Sequence, residues 1–220
     1  MMGAMAVPTT ELRASRSLTW RWLQFGAAMV IGAAGVGSMI TASVGVSPWD
    51  VFGTGLAFTV GITVGTSTTL LGIALLVVAF ALGERPGLGT VVTGLGFGPL
   101  VDLALGLLAE PPHLVPRALL FVLGFTLVAV AIVSMMDADV GIGPAETFTN
   151  AVCRRWGVSL APARTGLELV LLSLGIALGG DLGVGTAAFA VGIGPAVAFG
   201  LHRLGQRRSL ADALAHAGPV

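Results

Sequence analysis

The residues best suited to chemistry fall in two short strings, Ser47-Pro48-Trp49-Asp50 and Gly143-Pro144-Ala145-Glu146. Each sets an acid two residues after a proline. A cap residue, proline at the first helical position and an acid at the third make a good helix start, and Asp50 comes close to a capping box. On one reading both acids only satisfy helix N-termini and their dipoles. On the other, two short helices aim their N-termini at a shared site in a membrane. There the amides favour an anionic group and the acids bind cations or protons. Asn150 follows Glu146 by one helical turn and belongs to the same candidate set.

Arg164 and Glu168 stand four apart and can pair along one helix face. The pair serves as an interfacial ion pair, or Arg164 reaches an anionic head group of a substrate. Gly87-Leu88-Gly89-Thr90 and Gly183-Val184-Gly185-Thr186 make Thr90 and Thr186 helix-start candidates. No strand precedes these glycines, so they are not a nucleotide loop. Gly98-Pro99 and Gly194-Pro195 follow in apolar surroundings, as close-packed small residues or as breaks in helices lining a pathway. Pro48 and Pro144 are the other two expected breaks.

The three histidines do not cluster, and Cys153 is the only cysteine. No nucleophile–base pair, metal site or cofactor motif is visible, so the expectation is a protein that is not an enzyme and binds neither metal nor cofactor.

The elements that must position these residues are apolar. Of 220 residues, 55% are hydrophobic and 10% charged, against about 25% charged in a soluble domain. Too few charges remain to cover a globule, and lipid is the natural solvent. Net charge is zero, which gives no sign of a nucleic-acid partner. All 11 cationic residues are Arg. Arg13, Arg16 and Arg21 precede the first apolar run, and Arg203, Arg207 and Arg208 follow the last, as at cytoplasmic termini. Leu23–Ile40 is longer than the apolar core of a signal peptide, so it is expected to stay as a first membrane helix with Trp20 and Trp22 at its interface.

Sliding the chain by 96 residues lays GVSPWDVF (45–52) on GIGPAETF (141–148), and GLGTVVTGLGFGP (87–99) on GVGTAAFAVGIGP (183–195). Between 45–103 and 141–199 there are 18 identities in 59 positions, where composition alone gives about one in ten. The expected fold is therefore an all-α polytopic membrane protein of two tandem homologous repeats, 17–106 and 113–202, within one membrane domain at 17–203. Segments 1–16 and 204–220 are expected to be cytoplasmic.

Each repeat reads as four pieces: an apolar run (23–44, 118–135), a short proline-led segment (48–60, 144–156), a second apolar run (66–82, 163–178) and a Gly-rich run (87–108, 183–201). At 1.5 Å per residue the short segments cover only about 20 Å. The second carries Glu146, Asn150, Arg154 and Arg155 and cannot face lipid. Charge distribution fits six or eight crossings equally well. Length and polarity favour six, with the short segments re-entrant, which makes each repeat three crossings and the halves inverted.

GVSPWDVF, GITVGT, ERPGLGT and GFGPLVD, with GIGPAETF, Arg164 to Glu168, GGDLGVGT and GIGP in the second half, resemble the YczE/YyaS/YitT family of bacterial integral membrane proteins. The resemblance covers about 20–203. Ala145 departs from it, since a charged residue is expected there. The family implies a bacterial inner-membrane location and no settled activity.

The function expected is a small secondary transporter or channel-like carrier with a midplane site between the repeats. It would take a small solute or ion, with Ser47, Trp49, Asp50, Glu146, Asn150, Arg164 and Glu168 as candidate contacts. The alternative is a substrate-binding or regulatory membrane subunit of a larger complex. Partners expected are the lipid bilayer, the solute, and either further copies of the chain or a membrane complex.

Overall fold

The structure, a computed structural model, describes residues 17–141 and 143–216, with side chains to 205. Segment 1–16, with Arg13 and Arg16, and residues 217–220 lie outside the described residues. All regular structure described is helical: α1 (Leu18–Ala42), α2 (Pro48–Val60), α3 (Val64–Ala81), α4 (Leu88–Leu107), α5 (Leu114–Ala138), α6 (Pro144–Trp156), α7 (Leu160–Ala177) and α8 (Val184–His216).

The sequence punctuates these helices. Ser17, Ser47 and Thr63 accept hydrogen bonds from the backbone N–H groups of Trp20, Asp50 and Thr66, capping α1, α2 and α3,. Gly61 and Gly157 end α2 and α6 with φ of 74° and 68°, a left-handed conformation that glycine adopts without Cβ strain,. Ser43 and Asp139 hold the same conformation at the ends of α1 and α5, the two non-glycine residues described with positive φ. They turn the chain back toward the short helices.

Every helix start in the second half lies 96 residues after its counterpart in the first, and so do the first three helix ends. The fourth does not: α8 runs on to His216, through residues expected to form a tail. The stretch after Leu201 contains one glycine, no proline, and mostly Arg, Leu, Ala and Gln, all good helix formers,. α4 and α8 also pass unbroken through Pro99 and Pro195, so the breaks expected at Gly98-Pro99 and Gly194-Pro195 are not gaps in the helices.

Six helices are long and apolar enough to cross a membrane: α1, α3, α4, α5, α7 and residues 184–205 of α8. The two 13-residue helices are not. α1 and α5 form the centre and run antiparallel. Arg21 Nε donates to Ala138 O at one end, and Gly35 approaches Gly124 and Val128 farther along. A Cβ on Gly35 would lie 2.8 Å from Gly124 O, so the backbones meet with no room for a methyl group,. Ala33, Val36, Met39, Phe121 and Val128 fill the core around this seam.

The short helices come in from opposite ends of the bundle. α2 leaves through Gly61 to the start of α3, where Thr59 Oγ1 donates to Leu178 O just past the end of α7. α6 leaves at the far end of α3, where Arg154 Nη1 pairs with Glu84 Oε2 at 2.9 Å. Each short helix exits at the end where the long helix before it finished. Neither crosses.

The two halves also differ in packing. α3 and α4 pack through Gly65 on Gly98 and Gly72 on Gly94. Asp102 on α4 accepts from Thr63 Oγ1 (2.6 Å) and from Gly65 N (2.7 Å). The counterparts of these residues are Ala161, Gly194, Glu168, Ala190 and Ala198, and α7 and α8 make no comparable interface. A Cβ on Gly194 would meet nothing within 4 Å.

Candidate functional site

α2 and α6 begin at a common cavity of about 280 Å³ between the halves. Its wall is mostly apolar, with Leu71, Leu75, Phe97, Val128, Ile132 and Phe189 among the lining residues. The ionisable residues and Ser47 are at the helix starts and on α7, namely Ser47, Asp50, Glu146, Arg164 and Glu168, with Trp49 beside them; Thr68 on α3 and Thr93 on α4 are the other polar residues of the wall. Several lining residues are 96-residue counterparts, including Pro48 and Pro144, Asp50 and Glu146, Thr68 and Arg164, and Gly72 and Glu168.

Asp50 is 7% exposed. Ser47 Oγ donates to its Oδ2 at 2.5 Å, and the Asp50 N–H donates back to Ser47 Oγ at 3.3 Å. This is the cap expected from the sequence, yet Asp50 also lines the cavity. No cation stands against it among the described residues. Glu146 is in a different position. Arg164 Nη1 donates to Glu146 Oε1 at 2.6 Å, and Arg164 Nε donates to Glu168 Oε1 at 2.7 Å. One guanidinium thus spans two carboxylates, on α6 and on its own helix. It also lies over the Trp49 ring, 5.8 Å from the centroid, at cation–π distance,. Trp49 Nε1 is buried with no acceptor among the described residues.

The helices explain these positions. Pro48 and Pro144 at the first helical position lack an N–H that a helix start could not use anyway. The next amides are used locally: Asp50 N donates to Ser47 Oγ, Val51 N to Ser47 O and Thr147 N to Gly143 O. Arg164 reaches it because it sits in the second turn of α7, one turn before Glu168,.

Seven contact residues were expected from the sequence, and six line the cavity. Asn150 does not. Thr186 lies in the first turn of α8, where its Oγ1 accepts from Val46 N at 3.1 Å; Thr90 is fully buried in the first turn of α4. Both are packing positions at the links between halves. A Cβ on Gly45 would lie 2.7 Å from Thr186 N, and one on Gly141 would lie 2.7 Å from Thr90 N. The sequence did not disclose the Arg164–Glu146 bond. Only the Arg164–Glu168 spacing carried a signal, and that points along α7 rather than across to α6. Among the described residues no three His, Cys, Asp or Glu side chains converge as metal ligands would.

The net charge of the four ionisable groups, three acids and one base, disfavours an anionic ligand. The guanidinium that would have received one is already held by two carboxylates.

A family of unknown function, DUF6198, matches residues 19–202. An uncharacterised protein of Haemophilus influenzae is 30% identical over 175 residues, 80% of each chain. The uncharacterised membrane protein YczE of Bacillus subtilis is 29% identical over 189 residues, 84% of this chain and 87% of its own. The uncharacterised protein YyaS of the same organism is 24% identical over 170 residues, 76% of this chain and 85% of its own. These relatives bear out the resemblance to the YczE/YyaS group drawn from the motifs. No solved structure matches the chain.

Proposed function

We propose, from the premise that this chain belongs to the DUF6198 family of membrane proteins of unknown function, that it is a small secondary carrier whose site is the cavity between its two halves. The observation that carries this reading is the meeting of α2 and α6. Two proline-led half-helices enter from opposite ends, and each sets its first-turn acid on the same cavity. Backbone ends of this kind are costly in lipid unless protein or water shields them, and carriers use them to hold solutes.

The halves act as inverted repeats in this reading. The common 96-residue offset and the antiparallel pairing of α1 with α5 support it. A two-fold axis relating antiparallel helices lies across them, hence in the membrane plane. The difference between the tight α3–α4 pair and the parted α7–α8 pair then has a use. In this reading the cavity opens at the α7–α8 side and is closed at the α3–α4 side. Exchange of the two arrangements would give alternating access.

The orientation proposed is a bacterial inner-membrane protein with both termini cytoplasmic. Arg21, Arg85, Arg154, Arg155, Arg164 and Arg203 lie toward the end where α1 begins, and Arg117 lies at the other, in line with the cationic bias of cytoplasmic loops. The α7–α8 opening is then on the cytoplasmic side.

Proteoliposomes loaded with a pH-reporting dye test the carrier reading against a panel of amines, amino acids and carboxylates. At least one solute should move the dye signal in wild type and fail to do so after Asp50→Asn with Glu146→Gln. A wild-type protein inert to the whole panel, or a double variant that behaves as wild type, counts against a carrier. The alternative is a non-transporting subunit of a larger membrane complex, in which a partner chain rather than lipid covers the apolar faces of α7 and α8 at Leu169, Val170 and Val191. Stable co-purification with a partner chain would select that reading.

A further inference from the structure

The cavity is symmetric in position and asymmetric in charge. At its α6 side, Glu146 faces Arg164, whose guanidinium also bonds Glu168. The 96-residue correspondence carries Glu146 onto Asp50, Arg164 onto Thr68 and Glu168 onto Gly72. All six residues line the same cavity. Where the second half supplies a cation to its acid from within the chain, the first half offers a small hydroxyl and a glycine. The Thr68 hydroxyl is turned to its own helix, donating to Val64 O at 2.9 Å, so it does not replace the missing charge. Asp50 keeps only the Ser47 hydroxyl.

We propose that the first-half side of the cavity binds an organic cation, a guanidinium or ammonium group carried on an apolar body, paired with Asp50 beside Thr68 and Gly72. This deepens the carrier reading by naming its substrate class, and rests on that reading only for transport. Arg164 is the template: it shows what this architecture places against a first-turn acid. A carboxylate buried among apolar side chains is neutralised by a proton or by a cation. The cation therefore enters as a proton leaves Asp50, an exchange in which one positive charge replaces another. The walls formed by Leu71, Leu75 and Phe97 take the apolar body. Trp49 offers its ring to the charged end, as it already does to Arg164,.

Calorimetry on the full chain in detergent tests the proposal without requiring transport. The probes are benzylguanidinium, benzyl alcohol and benzoate, which share a body and differ in charge. Benzylguanidinium should bind at least tenfold tighter than the other two. Titrations in buffers of different ionisation enthalpy should show release of up to one proton per cation bound. Asp50→Asn should weaken binding at least tenfold and abolish proton release. Thr68→Arg gives Asp50 the partner that Glu146 already has, and should block benzylguanidinium while the protein keeps its wild-type elution and melting behaviour. Equal binding of the three probes, preference for benzoate, no binding of benzylguanidinium, or unchanged affinity in Asp50→Asn would each overturn the proposal. Cation binding without dye response in proteoliposomes would uphold it and remove the carrier reading alone.

Discussion

Asp50 and Glu146 occupy the same turn of two equivalent short helices, yet only Glu146 has a guanidinium against it, Arg164 Nη1 at 2.6 Å. The cavity thus sets an acid with a cation against it opposite an acid without one. Arg164 is the residue that makes the difference.

Its removal should be felt in stability. Arg164→Met leaves Glu146 and Glu168 facing one another without a cation. The side chains of all three residues are between a third and a half exposed, so solvent screens part of the loss, and the expected cost is about 1–2 kcal/mol. Thermal unfolding in detergent measures it. Adding Glu146→Gln and Glu168→Gln removes the uncompensated charges and should restore most of the melting temperature. If the triple variant melts no higher than Arg164→Met, charge imbalance is not the cause.

Glycine substitutions separate the two halves by packing. A Cβ on Gly98 would collide with the backbone of Gly65 and with Thr69 Oγ1, whereas one on Gly194 would meet nothing. Gly98→Ala should therefore destabilise by about 1–3 kcal/mol, the usual cost of overpacking. Gly194→Ala should be neutral or stabilising by up to about 1 kcal/mol, since alanine is the better helix former. Comparable losses at both positions would mean that α7 and α8 pack as tightly as α3 and α4.

Much of this architecture is legible in the sequence because lipid and backbone chemistry leave few options. The bounds of α2 and α6 can be read to the residue from proline at one end and glycine at the other. The bounds of the long helices are blurred by one to five residues, apart from the end of α8 at His216, because an apolar run marks where lipid lies and not where a helix begins or ends. Thus α1 starts at Leu18, among Arg and Trp residues, rather than at Leu23. Of the two readings of the Gly-Pro pairs, close packing describes Gly98, which meets Gly65, and neither pair interrupts its helix, because proline in a membrane helix removes one hydrogen bond without ending it,. What the sequence could not give was contact between distant side chains. Asp102 stands three residues after Pro99, and nothing in that spacing points 37 residues back to the Gly65 N–H.

Asp181, in the link between α7 and α8, gives a pH test outside the membrane helices. Partial burial, and then the negative charge of Glu110, raise its carboxyl above the ordinary 3.8. A raised acid favours the fold while protonated. That contribution is complete below pH 3.8 and is lost as pH rises through the raised value,. Asp181→Asn should therefore melt higher than wild type at pH 7 and together with it at pH 3.5. Its backbone bond to Thr54 Oγ1, 3.0 Å long, is untouched by the change. The effect is small because the side chain is exposed. A variant less stable than wild type at pH 7 would reverse the sign assigned here.

The parting of α7 from α8 predicts which membrane face reaches the cavity. Ala190 lines the cavity and is exposed, while its counterpart Gly94 is buried against Leu76 and Pro144. With Cys153→Ser removing the native thiol, Ala190→Cys should react with a membrane-impermeant maleimide from the cytoplasmic face at least tenfold faster than from the other face. Inside-out and right-side-out vesicles compare the two. Benzylguanidinium should slow the reaction, since it would fill the space the reagent must cross. Faster labelling from the opposite face would place the opening at the α3–α4 end. Equal labelling from both would show an open pore, in which α3 and α4 do not close the path at Gly65 and Gly98.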